Sequence, residues 1–318
     1  MKYLIITDHP KNDMRVSKSQ RYLNSVVLQI PSWLSRFYCF PGYCFIIYLL
    51  TFFYRFDRIY AHDLFCSYAG IKRRKYIIAD LHENFHDCYN HARFRFRIMK
   101  WFCRSERIER MVDKIKRKAD KIITVSKGLA DIYQTEYFYP NIGNPTKEYR
   151  KFDMSFNHVV FIGRNRDLEF IKWHEITEYF YLIIMSNNVP KLDVPPNIEV
   201  IYTGSNDSND PVNRNWLQLA KIGLLPNRRN PQTAIASPNK LFTYMDYGLC
   251  VLCGSWMENV RDIISRYDCG LFSENIEHGL SALLRHKEIV IKFGCNGRQA
   301  ILNEYNEEAL IKPIFERL

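Results

Sequence analysis

Twelve short apolar runs, separated by longer stretches with helical periodicity, constrain what this chain can fold into. Six lie in the first half, at residues 3–7, 26–30, 58–61, 76–79, 122–125 and 137–139. Six lie in the second, at 158–162, 181–185, 198–202, 221–225, 249–252 and 270–272. Most are continuously apolar, the pattern of strands buried on both faces of a parallel sheet. Strands alternating with helices build right-handed βαβ units. In a chain of 318 residues, six strands per half predict an α/β protein of two doubly wound domains. Ligands are expected at the C-terminal strand ends. The turn-rich NIGNPT stretch sets the boundary within 144–156.

Charge divides the chain at the same place. Residues 1–150 carry 27 Lys/Arg and 14 Asp/Glu, whereas 151–318 carry 18 and 20. The basic half is expected to meet something anionic: nucleic acid, a phosphorylated substrate or a membrane surface. No nucleic-acid module signature is present, so nucleic acid is not the expected partner. Residues 93–119 form an amphipathic pattern, with Phe94, Ile98, Trp101, Ile108, Val112 and Ile115 on one stripe. Arg97, Lys100 and Arg104 lie on the basic stripe beside it, and with Trp101 they are candidates for acceptor or membrane contact.

The uncharged run 37–54 is a candidate membrane segment by length. Pro41–Gly42 interrupts it and leaves 12 residues. That helix would reach about 18 Å, short of a bilayer core of about 30 Å. A buried helix leading into the strand at 58–61 is expected, with a membrane-dipping face as the alternative. Nine cysteines show no disulfide framework, and MKYLIITD reads as a strand, not a leader. A reducing, cytoplasmic setting is expected, possible attachment being to the cytoplasmic membrane face. Cys250 and Cys253 form a CxxC within an apolar strand, which favours buried thiols over redox or zinc chemistry.

The most informative stretch is 224–252, LLPNRRNPQTAIASPNKLFTYMDYGLCVL. Ser237 can cap a helix, Pro238 suits its first position, and Asn239 and Lys240 follow in the first turn. A helix N-terminus with a lysine presents donors and positive potential to phosphate oxygens. Ser237, Pro238, Asn239, Lys240, Leu241, Tyr244 and Gly248 resemble the donor-sugar segment of GT-B glycosyltransferases, particularly family 4 and its relatives. VVFIGRN (159–165) resembles that family's donor loop, DKIITVSKGLADIY (120–133) its last N-domain strand and helix, and FGCNGRQAILNEYN (293–306) its closing helices.

The resemblance implies two Rossmann-like domains facing across a cleft. It implies an acceptor domain at 1–150, a nucleotide-sugar domain at 151–305, and a terminal helix at 306–318 crossing back. It also implies transfer of a sugar from a nucleoside-diphosphate donor to a hydroxyl of a glycan, in surface polysaccharide or lipopolysaccharide assembly. The basic, aromatic-rich first half fits a lipid-linked acceptor. No cofactor and no metal are expected. Gly163, Arg164, Gly204, Ser237, Pro238, Asn239, Lys240 and Thr243 are the expected donor residues. Thr243 and Ile235 stand where the family carries two acids. A non-catalytic GT-B subunit and a nucleotide-sugar epimerase are the alternatives. On the acceptor side, ADLHENFHD (79–87) follows a strand and offers His82, then Glu83, as catalytic groups. A metal held by His82, His86 and Asp87 is the less favoured reading of the same loop.

Overall fold

The computed structural model describes residues 1–10, 13–35, 42–85, 105–140, 142, 145–146, 157–189, 191–236 and 238–317. By contacts the chain divides into two units, Met1–Asn141 with Ile311–Leu318, and Ile142–Leu310.

The first unit holds β1 (Tyr3–Thr7), β2 (Ser25–Gln29), β3 (Arg58–His62), β4 (Tyr76–Leu81), β5 (Lys121–Thr124) and β6 (Tyr137–Phe138). They pair in parallel in the order β2-β1-β3-β4-β5-β6. The second holds β7 (His158–Ile162), β8 (Phe180–Met185), β9 (Ile198–Tyr202), β10 (Ile222–Leu225), β11 (Cys250–Gly254) and β12 (Gly270–Ser273). Its order is β12-β11-β10-β7-β8-β9, again parallel. All twelve expected strands form, with ends within two residues of the sequence reading. The continuous apolar runs are satisfied because helices cover both faces: β1, β7 and β11 are buried at every position.

Each order places a switch point. Winding reverses between β1 and β3 in the first unit and between β7 and β10 in the second. In open parallel sheets the crevice for ligands lies outside the carboxyl ends at such a point.

Several helices qualify the sequence reading. From the run 37–54, residues 37–41 lie outside the described residues, and the rest forms a helix Tyr43–Leu50 and a turn Thr51–Phe53. Tyr43, Cys44 and Ile47 are buried, but Phe45, Leu49, Phe52 and Phe53 are exposed, Phe53 at 83%. The helix is thus buried on one side only. Among the described residues no helix is long and apolar enough to cross a membrane. Of the pattern at 93–119, a helix Ser105–Lys118 is described, and it buries Ile108, Met111, Val112 and Ile115. Arg97, Lys100, Trp101 and Arg104 lie outside the described residues. The terminal helix Lys312–Glu316 sets Phe315 against the rings of Tyr22, Tyr60 and Tyr139, at 5.5, 5.7 and 5.9 Å between centroids.

In the second unit Arg298 joins the carboxylate and carbonyl of Asp246 to the carbonyl of Thr146. The Thr146 amide returns a bond to the same carboxylate at 3.1 Å. Cys250 and Cys253 are free, buried thiols, and burial pushes Cys253 up to about 12.

Candidate functional site

At the switch point of the second unit, the helix Asn239–Asp246 is fixed by one tyrosine. The Tyr244 hydroxyl accepts from the Ile162 amide at 2.9 Å and donates to the Leu224 carbonyl at 3.3 Å. It therefore bridges the ends of β7 and β10. Its ring packs against Gly223, where a Cβ would fall 2.3 Å from the ring Cγ. Only glycine at that β10 position lets the helix come this close.

Lys240 stands one turn before Tyr244, so the same anchor brings it to the end of β7. A Cβ on Gly163 would meet the Lys240 Nζ at 3.0 Å, and Gly163 has φ +147°, a conformation side chains disfavour. The ammonium also lies 5.0 Å from the Phe161 ring centroid, within cation–π range. Burial lowers Lys240 to about 8, and the Asp167 carboxylate offsets this in part.

These groups open onto a cavity of about 620 Å³ lined by, among others, Gly163, Arg164, Asp167, Asn227, Arg228 and Lys240. Its volume suits a nucleotide-sized ligand, and its cations outnumber its acids. The Arg228 backbone is held by Thr233, whose Oγ1 donates to its carbonyl at 2.8 Å within the capping box that starts the helix Pro231–Ile235.

Of the expected donor residues, the structure brings Gly163, Arg164 and Lys240 together on this cavity. Pro238 caps the helix and Asn239 opens it, one residue later than the sequence pattern suggests. Gly204 turns the chain after β9 with φ +76°. Thr243 turns its hydroxyl back to the Asn239 carbonyl at 3.3 Å. Ser237 lies outside the described residues. Asn206 and Asn227 also line the cavity and carry no sequence signal of their own.

At the switch point of the first unit, β1 and β3 deliver a second arrangement. His9 lies two residues past β1, and Asp63 is the first residue after β3. Their side chains meet, with His9 Nε2 2.7 Å from Asp63 Oδ2, and both stay about a quarter exposed. The hydrogen bond to Asp63 raises His9 above the usual imidazole range. Asp63 has φ +60°, an uncommon value for a residue with a Cβ. Strained backbone of this kind concentrates at functional sites.

Behind this pair lies a buried group. His62 ends β3, Asp80 lies in β4, and His82 follows β4, exposed by 0, 0 and 7%. His82 Nε2 is hydrogen-bonded to Asp80 Oδ1. The Tyr60 hydroxyl donates to Asp80 Oδ2 at 2.7 Å. Burial raises Asp80 to about 7 and drives His82 well below its usual value. Glu83 is exposed, and its carbonyl accepts from the Tyr133 hydroxyl at 2.7 Å. His86 and Asp87 lie outside the described residues. The sequence reading named His82 and Glu83 at this sheet edge and did not single out His9 or Asp63. His9 and Asp63 are 54 residues apart. Neither DHP nor AHD is a pattern that marks such a pair.

No protein-family model matches the chain, and no curated protein matches it in sequence. Solved structures do match it in fold. Sucrose-phosphate synthase from Thermosynechococcus elongatus superposes with a TM-score of 0.73 at 12% identity, over 100% of this chain and 97% of that one. WaaG, a glycosyltransferase involved in lipopolysaccharide biosynthesis, matches at 0.64 and 12%, over 99% and 98%. Anabaena HepE, solved in complex with UDP-glucose, matches at 0.66 and 10%, over 100% and 99%. The chain has the GT-B fold, a pair of Rossmann-like units each built on a six-stranded parallel sheet.

Proposed function

We propose that the chain is a glycosyltransferase that moves a sugar from a nucleoside-diphosphate donor to a hydroxyl of a glycan acceptor. The observation that carries this is the Lys240 ammonium, held against Gly163 at the mouth of a cationic cavity at the second switch point. Lys240, Arg164 and the backbone amides of Asn239 and Lys240 at the helix start would offset the charge of the departing diphosphate. Charge developing in the transition state meets preorganised donors there, so this chemistry needs no metal. The likeness in fold to WaaG and to HepE, the latter solved with UDP-glucose, supports a nucleotide-sugar donor.

On the acceptor side, an imidazole at the first switch point would take the hydroxyl proton. His82, backed by Asp80 and followed by Glu83, is the choice from sequence. His9 is favoured by geometry, since it is accessible and oriented by a carboxylate, the arrangement of a general base. The exposed aromatic face at 45–53 and the neighbouring Lys72, Arg73, Arg74 and Lys75 suit a lipid-linked acceptor at an anionic membrane face, as in surface polysaccharide or lipopolysaccharide assembly.

The test is calorimetric titration with nucleoside diphosphates and their sugars. One donor should bind, and Lys240→Ala should weaken it about 10- to 100-fold, the loss of a charge-assisted contact. Absence of binding to every donor refutes the proposal. A second reading, a non-catalytic GT-B subunit, is favoured by Thr243 and Ile235 at the two acid positions. Turnover with any donor rejects it.

A further inference from the structure

We infer that His62, Asp80 and His82 form a binding site for a divalent transition metal of the zinc class. His62 and Asp80 are direct neighbours across the β3–β4 register, and His82 lies two residues further on. One ligand atom from each lies within 4.8 Å of the others. His62 Nδ1 is 3.5 Å from Asp80 Oδ2, and the two imidazole centroids are 6.0 Å apart. These are spacings that small side-chain rotations convert into shared coordination.

The second observation is independent of the clustering. Both ring nitrogens of His62 and Nδ1 of His82 are buried without a hydrogen-bond partner. Buried polar atoms are nearly always satisfied, so three in one cluster call for a ligand. A cation fits better than an anion, because neutral imidazoles and a carboxylate offer lone pairs. Two nitrogens and one oxygen suit zinc, cobalt or iron, whereas magnesium and calcium prefer all-oxygen sets. The carboxylate is already oriented by Tyr60, whose hydroxyl lies 3.2 Å from that of Tyr139. Hydrogen-bonded support of this kind fixes ligand geometry at metal centres. Three protein ligands leave one position for water.

Such an ion would tie together the ends of β3 and β4 behind the His9–Asp63 pair, His9 and His62 being 6.2 Å apart by ring centroid. A nitrogen bound to metal cannot also take a proton, so the metal excludes His82 as the base and leaves His9 available. The inference rests on the cluster alone and does not depend on the transferase reading.

The experiment uses the full chain after chelator treatment and titrates it with Co²⁺, followed by visible absorption. One Co²⁺ per chain should bind, with d–d bands that Zn²⁺ abolishes. His62→Gln and Asp80→Asn should each weaken binding about 100-fold, and His9→Gln should not. X-ray absorption of the zinc-loaded native chain should show two imidazole ligands at about 2.0–2.1 Å, a readout that does not require the variants to fold. Absence of stoichiometric binding overturns the inference. So does binding that survives His62→Gln or is lost with His9→Gln, or a zinc spectrum without two imidazoles.

Discussion

Asp63 holds a left-handed backbone that costs a residue with a side chain roughly 1–2 kcal/mol, and its carboxylate meets His9 across the first switch point. A base oriented by an acid loses much of its rate when the acid becomes an amide, since tautomer and orientation are no longer imposed. Asp63→Asn should therefore lower kcat about 10²- to 10⁴-fold with little change in donor affinity. The pH profile gives the sign. The hydrogen bond to Asp63 raises His9, and a base works only when neutral, so activity should rise with pH through that raised value. Asp63→Asn should move the acidic limb to lower pH, and a limb that stays in place would show that His9 is not the base. The same bond stabilises the fold below the ordinary imidazole value of 6.5, and that contribution fades as pH rises through the raised one. Lys240 was legible in the sequence because the helix start, lysine and glycine sit within a dozen residues. The His9–Asp63 pair was not, because only the β1–β3 pairing brings it together.

At the scale of elements, the seat of the helix Asn239–Asp246 depends on a glycine in β10. Gly223→Ala drives a methyl into the Tyr244 ring, and overpacking of this kind costs about 1–3 kcal/mol. The expected result is a lower melting temperature, with donor affinity reduced because Lys240 rides on the same helix. Unchanged stability and affinity would show that the ring is not seated on Gly223. The inner strands were readable because fully buried parallel strands need unbroken apolar runs, which few other elements show; the edge strands β2, β6, β9 and β12 are only partly buried and were read from shorter apolar stretches. The helix at Tyr43–Leu50 was only half readable. Its residues are apolar on every side, so periodicity could not separate the face packed on the unit from the face exposed at Phe45 and Leu49.

For the molecule as a whole, the charge division gains a physical setting. The first unit presents exposed Phe52 and Phe53 beside exposed Lys72, Arg74 and Lys75, and the Arg73 guanidinium covers Phe52 at 3.8 Å. Aromatic insertion plus several cations binds anionic bilayers, each cation near the surface adding about 1 kcal/mol. The full chain should co-sediment with vesicles containing phosphatidylglycerol and far less with pure phosphatidylcholine. Phe52→Ser with Phe53→Ser should release it, and equal partitioning of native and doubly substituted chains would refute the surface. A pair of doubly wound domains was legible at this scale from strand count and spacing, and the GT-B fold from the resemblance carried by 224–252. The asparagines of the cavity wall were not, because Asn206 and Asn227 meet only after β7, β9 and β10 assemble. The Lys240 ammonium, half-buried near an aromatic face, has one more consequence. With its value lowered to about 8, much of the ligand-free population carries a neutral amine in mildly alkaline solution. A diphosphate favours the charged form, so binding there would draw a proton from the solvent, and the measured heat would change with the buffer that supplies it.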